Sequence, residues 1–371
     1  MTIIIRIYKV CLNFIYLFFK LIPTKKKITI ISRQSNSKST DITLLESALK
    51  KQLPDYKITV LCKRIEKSLL KKIGYLFYIF KLMYHITRSK VVILDSYCIP
   101  ISLLKHKKSL YVIQMWHAMG LLKKAGYSIL DTKEGSKKSF AKAMNMHKNY
   151  DAVFASSKAC INSITKVFAC DKKQIVISLL PRVDLLKDKN YLKETQKKIA
   201  AVYDFKNKKN IVYVPTFRKD ETLMQKKVDE LVAQIDYTRY NLIVKLHPNS
   251  KIVLTDERVI CDHKFSSMEM LTVADYVISD YSSIIYEAGI LRKKLYFYAF
   301  DFDDYEIGRG LFIDYLKEMP GLITKDAQEL IKEIEANNYD FKKERLFINK
   351  YLDLSKNNVT LGIVDLIKKH L

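Results

Sequence analysis

Short apolar runs rich in β-branched residues recur along this chain, with longer stretches of helical character between them. The runs of the first half are Ile28–Ser32, Lys57–Cys62, Val91–Asp95, Leu110–Met115, Ala152–Ala155 and Ile175–Leu179. Those of the second half are Asn210–Val214, Asn241–Leu246, Val259–Cys261, Tyr276–Ser279 and Leu295–Tyr298. Because parallel strands need a helical crossover between them, this alternation predicts an α/β protein with parallel sheets. The polar, Lys-rich stretch 187–209 separates the two sets and predicts two doubly wound, Rossmann-like domains facing a central cleft.

The positive charge lies almost wholly in the first half of the chain. The formal net charge is +26; residues 1–190 hold 36 Lys and Arg against 11 Asp and Glu, whereas residues 191–371 hold 29 against 28. Such an excess favours contact with a polyanion or an anionic surface. A Lys-biased genome is an alternative explanation. So is nucleic-acid binding, but no RNP, KH, helix-turn-helix or zinc-finger string supports it.

Residues 1–22 mix apolar and basic residues in a helical pattern. At about 100° per residue, one narrow polar stripe comprises Arg6, Lys9, Asn13, Tyr16 and Lys20. The uncharged stretches are too short for a membrane span, and no signal-peptide cleavage site follows. The pattern predicts an N-terminal amphipathic helix at a membrane interface. A basic cluster expected at anionic headgroups comes next: Lys25, Lys26 and Lys27.

A second segment, 67–90, also mixes Lys with Tyr and Phe along a predicted helix. It is a second candidate for membrane contact, although a crossover helix of an α/β domain is apolar on one side for packing reasons alone. The six cysteines have no CxxC or zinc-like spacing, which predicts a reduced, cytosolic protein. Together these features predict a peripheral protein on the cytoplasmic side of the cell membrane.

Two classes of nucleotide enzyme and a metal site are disfavoured. None of the nine glycines forms GxGxxG or a Walker A loop, which argues against a dinucleotide-binding enzyme and a P-loop ATPase. No HxH or HxxxH pair is present, and the one DxD string belongs to an acidic loop, 301–306, expected to be solvated. No metal and no cofactor are therefore predicted.

Unusual residue strings follow several of the predicted strands. Trp116-His117, Thr216-Phe217-Arg218, His247-Pro248 and Asp280-Tyr281-Ser282-Ser283 all stand at carboxyl ends. Ligand sites of doubly wound sheets form at that edge. The strings therefore predict a functional site there.

Six ordered strings between 112 and 321 carry a family resemblance. They are QMWHAMGLLKKAGY (114–127), LLPRVDLL (179–186), YVPTFR (213–218), KLHP (245–248), ISDYSSIIYEAG (278–289) and YEIGRGLFIDYLKEMPG (305–321). In these strings the chain resembles the CDP-glycerol glycerophosphotransferase family, the glycerol- and ribitol-phosphate primases and polymerases of teichoic acid synthesis. The resemblance implies a GT-B-like fold, and the chain length is similar to that of the primases. Where many members read HGT after the Trp, this chain reads His117-Ala118-Met119-Gly120.

The resemblance implies a reaction and a role for each candidate residue. An acceptor hydroxyl attacks the β-phosphorus of CDP-glycerol or CDP-ribitol, and CMP leaves. His117 is the candidate base, because imidazole accepts a proton near neutral pH; packing against Trp116 is its structural alternative. The residues expected to bind the donor phosphates are His247, Ser282, Ser283, Arg309, Arg218 and Thr216.

Several of these roles have further chemical reasons or alternatives. Ser282 and Ser283 precede a predicted helix and are expected to cap it, with an anion site at its N-terminus. Glycines flank Arg309, and a guanidinium suits phosphate. Asp280 is expected to orient His247 or a turn, or to bind the donor, and Glu287 to reach the ribose.

The predicted domains follow from charge and resemblance together. They are an interfacial membrane helix (1–22), a basic acceptor and membrane domain (23–190), a linker (191–209) and a donor-binding domain (210–371). The expected partners are a CDP-alditol, a prenyl-diphosphate-linked acceptor and an anionic membrane, without nucleic acid; the oligomeric state stays open. A GT-B glycosyltransferase using a nucleotide-sugar is the alternative enzyme.

Overall fold

Every one of the predicted strands forms in the computed structural model, which describes residues 2–66 and 68–371, with side chains except those of 2–4 and 69–73. The strands are β1 Lys27–Ser32, β2 Lys57–Cys62, β3 Val91–Leu94, β4 Tyr111–Gln114, β5 Ala152–Ala155, β6 Ile175–Ile177, β7 Lys209–Tyr213, β8 Tyr240–Val244, β9 Ile260–Cys261, β10 Tyr276–Ser279, β11 Lys294–Tyr298 and β12 Ile323–Thr324. They make two six-stranded sheets, ordered β2-β1-β3-β4-β5-β6 and β12-β11-β10-β7-β8-β9. All pairings are parallel, so the predicted α/β class with two parallel sheets is confirmed.

Helices connect the strands as crossovers. They are α1 Thr2–Leu21, α2 Thr40–Gln52, α3 Leu69–Thr87, α4 Ile99–Leu103, α5 Lys138–Ala143, α6 Ile161–Phe168, α7 Arg182–Lys187, α8 Lys189–Ala200, α9 Thr222–Gln234, α10 Ser267–Met270, α11 Ile284–Ile290, α12 Phe302–Gly308, α13 Tyr315–Glu318, α14 Ala327–Ala336, α15 Phe341–Tyr351 and α16 Val359–Lys368. Residue 67, at which the second candidate membrane segment was expected to begin, lies outside the described residues.

The chain divides into two units, and each holds one sheet. Unit 1 comprises 1–119, 124–184 and 353–371, and unit 2 comprises 120–123 and 185–352. The C-terminal segment thus differs from its expected place in the donor domain, because α16 buries Val359, Ile363 and Ile367 and packs on α2. The Asp184 carboxylate of unit 1 also accepts the N–H groups of Val359 and Thr360, at 2.8 Å each.

The expected linker 191–209 is also different in the structure. Most of it is helix α8, which the Asp188 side chain caps at the N-terminus. Thr195 and Ile199 are its buried residues within unit 2. A helix of this kind needs only a few buried residues on one side, and its remaining positions can be Lys. The Lys-rich composition of this stretch was therefore mistaken for that of a linker.

Helix α1 has two apolar faces rather than the one that was expected. Leu12 and Tyr16 are buried in a cluster with Tyr75, Ile79 and Met83 of unit 1. Tyr16, placed by the sequence on the polar stripe, is only 1% exposed because it packs in this cluster, and its hydroxyl contacts His106 Nδ1 at 3.0 Å. Large apolar side chains cover a second, exposed face: Ile7, Val10, Phe14, Leu17, Phe18 and Leu21.

The basic residues near α1 differ in accessibility. Arg6, Lys25 and Lys26 are exposed, and Lys9 and Lys20 are half-buried. Lys27 is 5% exposed at the start of β1, with its Nζ 2.8 Å from His85 Nδ1, so the expectation that it contacts headgroups is wrong. Among the helices of the described residues, none is long and apolar enough to cross a membrane.

Candidate functional site

The carboxyl edge of the unit 1 sheet presents His117 after a strained turn. Strand β4 ends at Gln114, whose Oε1 accepts the Trp116 N–H at 3.0 Å. Trp116 has φ 65°, a left-handed conformation that costs a bulky residue roughly 1–2 kcal/mol. Its ring lies against Phe168 and against the His117 ring, with centroids 5.2 and 4.1 Å apart. The packing of His117 on Trp116 is therefore present, and it holds the imidazole in a defined orientation.

The hydrogen bonds of His117 define which nitrogen can act as a base. Nδ1 lies 3.0 Å from the main-chain oxygen of Asp95, which can only accept. A proton on Nδ1 leaves the lone pair on Nε2. The side-chain amide of Gln34 also lies 3.0 Å from Nδ1, and an amide flip offers its oxygen to the same N–H. Burial lowers the pKa of His117 below its ordinary value, so the ring is neutral near pH 7.

An ion pair between Arg182 and Asp41 holds the main chain of His117 in place. Arg182 donates from Nε and Nη2 to Asp41 Oδ2 at 2.9 and 2.5 Å, and Nη2 also reaches the His117 oxygen at 3.1 Å. The Arg182 N–H donates to Asp41 Oδ1 at 2.8 Å. Asp41 is 3% exposed in the first turn of α2. The pair therefore positions His117 without touching its ring.

Asp95 adds a buried carboxylate to this edge. It follows β3 directly, is 4% exposed, and its Oδ1 has no hydrogen-bond partner among the residues that the structure describes. Burial raises the pKa of this carboxyl group, while Ser32 and Ser96 oppose the shift. Sequence reasoning missed Asp95, although it stands at the end of a predicted strand.

In unit 2 the carboxyl edge holds a buried cluster of charges around Arg218. Arg218 Nε and Nη2 donate to the two carboxylate oxygens of Asp301 at 3.0 and 2.9 Å, and Nη1 donates to Asp280 Oδ2 at 2.5 Å. Only 11% of the Arg218 side chain is exposed. Because Arg218 binds the carboxylates of both Asp280 and Asp301, its main effect is to hold these loops together, and its charge is largely neutralised. Asp301 is not the solvated residue that was expected, because the guanidinium holds it.

Asp280 ties two loops together. Its carboxylate is fully buried and accepts the N–H of Thr216 at 3.0 Å and that of Tyr281 at 2.6 Å. Burial would raise the pKa of Asp280, but Arg218 and Lys123 hold it below its usual value. Of the roles considered for Asp280, the structure contains the turn contact.

Lys123 is the residue of this cluster that sequence reasoning missed. Its Nζ lies 3.0 Å from Thr216 Oγ1 and 5.7 Å from the centre of the Tyr305 ring. Burial lowers the pKa of Lys123 to about 8, with Asp280 opposing and Arg218 and Arg309 adding to the shift. The residue stands six positions after His117 inside a quoted string, yet nothing in its type distinguishes it from the other lysines.

The loop that carries Lys123 belongs to unit 2 and is tightly fixed there. Gly120 has φ 57°, and a Cβ at this position would lie 2.1 Å from the Tyr286 ring. The Phe312 N–H donates to the Leu122 oxygen at 2.9 Å. Glycine is therefore required at 120, and Lys123 has little freedom to leave the cluster.

His247 follows β8 and is exposed. Its Nδ1 accepts the Asn249 N–H at 3.1 Å, which places the proton of the neutral ring on Nε2. The ring lies 5.0 Å from that of Phe217, which links it to the loop of Thr216 and Arg218.

The other expected donor residues have different surroundings. The Ser282 Oγ accepts the Ile284 N–H at 3.4 Å, but Ser283 makes no side-chain cap on α11, so the capping prediction is wrong for Ser283. Arg309 ends α12 and is close enough to Lys123 to lower its pKa. Glu287 is 5% exposed inside α11. Among the described residues, no group of three or more His, Cys, Asp or Glu could hold a metal ion.

Two parallel six-stranded sheets, each with polar and charged side chains at its carboxyl edge, define an α/β protein of GT-B-like fold. The fold is similar to that of the wall teichoic acid polymerase TagF, with a TM-score of 0.74 and 20% identity over 99% of this chain and 96% of that chain. It is also similar to the UDP-GlcNAc 2-epimerase from Methanocaldococcus jannaschii, with a TM-score of 0.61 and 14% identity over 92% of this chain and 99% of the epimerase.

The sequence comparisons define the family. Residues 14–369 match the CDP-glycerol:poly(glycerophosphate) glycerophosphotransferase model, and the chain belongs to that family. The chain is 29% identical to a teichoic acid ribitol-phosphate primase of Bacillus spizizenii, over all of this chain and 98% of the primase. It is also 29% identical to a teichoic acid glycerol-phosphate primase of Bacillus subtilis, over 97% and 96%.

Proposed function

We propose that this enzyme transfers glycerol phosphate or ribitol phosphate from a CDP-alditol to a hydroxyl group of a lipid-linked acceptor, releasing CMP, in the synthesis of teichoic acid or a related cell-surface polymer. The observation that carries the proposal is the family match over 14–369, which includes both His117 and the Lys123 cluster. The equal identity to a ribitol-phosphate and a glycerol-phosphate primase supports both alditols equally.

In the proposed reaction, Nε2 of His117 takes the proton of the acceptor hydroxyl. The oxygen forms a bond to the β-phosphorus of the donor, the bond to the CMP oxygen breaks, and CMP leaves with the electron pair. The neutral imidazole and its Nδ1 contact with Asp95 support this assignment. Arg182 and Asp41 act as positioning residues.

The donor phosphates are assigned to the cationic groups of unit 2. Lys123 and Arg309 supply positive charge, and Nε2–H of His247 supplies a hydrogen-bond donor. Thr216, Ser282 and Ser283 supply hydroxyl groups. Arg218 and Asp280 hold the loops, and Glu287 is assigned to the ribose as the resemblance implies. In this proposal side chains provide the charge neutralisation, and no metal or cofactor is invoked.

We also propose that unit 1 binds the cytoplasmic surface of the membrane through α1. The exposed apolar face from Ile7 to Leu21 lies beside the basic residues Arg6, Lys9 and Lys20, and Lys25 and Lys26 follow. Helix α3 presents exposed apolar side chains as well, among them Phe77 at 72% and Leu76 at 48%. An apolar face with a basic flank is typical of interfacial helices on anionic membranes.

The reaction is tested with CDP-glycerol, CDP-ribitol and UDP-sugars offered together with a prenyl-diphosphate disaccharide, followed by mass spectrometry of the lipid product. We expect a mass increase of one or more alditol phosphates and stoichiometric CMP. Transfer from a UDP-sugar alone would instead identify a glycosyltransferase and overturn the proposal.

The membrane assignment is tested by flotation with phosphatidylglycerol vesicles. Replacing Phe14 and Leu17, both exposed on α1, by Ser should abolish flotation and leave the fold intact. The matched control replaces Leu223 and Leu346, exposed in unit 2, by Ser. Equal flotation of the α1 variant and the control would contradict the assignment, as would strong, salt-sensitive DNA binding without vesicle binding.

A further inference from the structure

A cavity of about 360 Å³ lies at the amino edge of the unit 1 sheet, where β4 and β5 begin. Its walls include Lys9 of α1 and the segment Leu103–Lys108 before β4. We propose that this cavity, the Lys105 pocket, binds the phosphate-bearing headgroup of an anionic membrane phospholipid. The proposal rests on the proposed membrane contact of α1 and adds a specific lipid site to it.

The charges around the Lys105 pocket favour an anion. Four lysines line it: Lys9, Lys105, Lys107 and Lys108. Lys105 and Lys108 are exposed and have no ion pair with any residue that the structure describes. The one acidic residue of the lining, Asp151, has its Oδ2 bound to the Val112 N–H at 2.7 Å. The balance is strongly positive, and the carboxylate does not pair with the lysines.

Neutral groups make the wall of the pocket rigid. His106 is bound on both sides, with Nδ1 3.0 Å from the Tyr16 hydroxyl and Nε2 2.9 Å from the Ile101 oxygen. Burial lowers the pKa of His106 to about 4, so the ring is uncharged. Asn149 Nδ2 donates to the Leu104 oxygen at 3.0 Å. The lysines are therefore held around a wall whose side chains, His106 and Asn149, are fixed by hydrogen bonds.

The same wall is joined directly to α1. Asn13 Nδ2 donates to the Leu103 oxygen at 3.1 Å, and Asn13 Oδ1 accepts the Lys105 N–H at 2.9 Å. Lys107 Nζ donates to the Ile22 oxygen at 2.5 Å, just after the helix ends. The pocket therefore has a fixed position relative to the exposed apolar face of α1.

The position of Lys9 on α1 identifies the source of the phosphate. At about 100° per residue, Lys9 and Asn13 lie between the buried side of the helix, with Leu12 and Tyr16, and the exposed side, with Val10 and Phe14. When such a face enters a membrane, its polar boundary lies at the depth of the lipid phosphates. A lipid headgroup, rather than a free phosphate, is thus the ligand that the geometry brings to the pocket.

The pocket is separate from the proposed reaction. It lies at the amino edge of the sheet, whereas His117 follows the carboxyl end of β4. Removing its charge should therefore change lipid binding without changing the chemistry.

The test compares the full chain with the variant Lys105→Gln, Lys108→Gln. The matched control is Lys172→Gln, Lys173→Gln, which removes the same charge from exposed residues of unit 1 outside the pocket. Binding is measured on vesicles of phosphatidylcholine with phosphatidylglycerol, and on vesicles in which oleate supplies the same surface charge. Thermal unfolding of both variants checks that the fold is retained.

We expect the pocket variant to lose on the order of 30-fold in affinity for the phosphatidylglycerol vesicles, which corresponds to about 1 kcal/mol for each of the two lysines, and the control to lose much less. The full chain should also prefer phosphatidylglycerol to oleate, and the pocket variant should lose that preference. Equal losses of vesicle affinity in the pocket variant and the control would overturn the proposed lipid site. Equal binding of the full chain to the phosphatidylglycerol and oleate vesicles would overturn it as well.

Two further readouts separate this proposal from the proposed function. Transfer to a soluble acceptor analogue should be unchanged in the pocket variant. If neither the full chain nor any variant transfers alditol phosphate, the proposed reaction is wrong, but the proposed lipid site is not affected. If the full chain binds no vesicle at all, the membrane assignment and the pocket fail together. If the full chain binds and only the headgroup preference is absent, the pocket alone fails.

Discussion

The two units each hold a six-stranded parallel sheet, but they differ greatly in net charge. Unit 1 holds 36 Lys and Arg against 12 Asp and Glu, a net charge of +24, whereas unit 2 holds 29 against 27, a net charge of +2. Yet the proposed base of unit 1 is a neutral imidazole, and the buried cluster around Arg218 lies in the nearly neutral unit. The net charge of a unit therefore does not indicate where its buried ion pairs lie.

Both units contain aspartate–arginine ion pairs that hold the loops at the carboxyl edge of the sheet. In unit 1, Asp41 and Arg182 hold the main chain of His117; in unit 2, Asp280 and Asp301 hold Arg218 and the loop of Thr216. Each pair joins loops that are distant in sequence. The units differ in how completely the pair is buried, since the exposed fraction of the arginine side chain is 22% for Arg182 and 11% for Arg218.

The largest expected effect concerns the neutral imidazole of unit 1. His117→Ala should lower kcat for transfer by roughly 10²–10⁴-fold, because it removes the proposed general base, while CDP-glycerol still binds. His263→Ala, a change at an exposed histidine of unit 2, is the control. Single-turnover kinetics and calorimetric binding of CDP-glycerol check both parts. Full activity of the H117A enzyme would remove His117 as the base.

The next effect compares the two aspartate–arginine pairs. Asp280→Asn should lower the free energy of unfolding by about 3 kcal/mol, because it leaves a buried guanidinium with one carboxylate fewer. Asp41→Asn should cost about 2 kcal/mol, since Arg182 is more exposed. Urea unfolding of the two variants measures both values. A larger loss in the free energy of unfolding for D41N than for D280N would contradict this predicted order.

A third prediction concerns the cations of unit 2. Lys123→Gln should lower kcat/KM for the donor by about 10²-fold, whereas the neighbouring Lys124→Gln should have little effect. The pKa of Lys123, about 8, also implies that activity falls as the pH rises through that value, because the ammonium loses its proton. On the acid side, activity should fall as His117 becomes protonated, below the ordinary histidine range.

The pH profile of Lys123→Arg sharpens this assignment. Arginine keeps its charge well above pH 8, so the alkaline loss should disappear even if total activity is reduced. An unchanged alkaline limb in K123R would assign that limb to another group.

The smallest effect concerns a buried acid of unit 2 away from the cluster. Glu344 is 1% exposed, its Oε1 has no partner within the described part of the chain, and burial raises its pKa to about 7. The folded state then holds a proton that the unfolded state releases, so stability is lost as the pH rises through about 7. Glu344→Gln should raise the free energy of unfolding at pH 8 by on the order of 1 kcal/mol and leave it unchanged at pH 4. Equal effects at both pH values would contradict this account.

The sequence predicted the strands well because parallel strands buried on both faces need continuous β-branched apolar runs. Strand β12, Ile323–Thr324, was not predicted; it is as short as β9, but β9 is preceded by the β-branched Val259, which extends its run. The carboxyl-edge residues were found for the same reason: strand ends are visible in the sequence, and parallel strands bring them to one edge.

The remaining features depend on contacts distant along the chain. Whether Asp301 is solvated depends on Arg218, which is 83 positions away. The role of Lys123 depends on Thr216 and Asp280, and the burial of Tyr16 depends on its packing against α3. A helical periodicity reports that α1 has apolar residues, but it does not report which of them the rest of the protein covers.

The return of the C-terminal segment to unit 1 has a consequence for biogenesis. Residues 185–352, nearly all of unit 2, are synthesised before residues 353–371. Until α16 emerges, α2 lacks the helix that packs on it and the Asp184 carboxylate lacks the N–H groups that it binds. The unit whose synthesis begins first is therefore the unit whose packing is completed last.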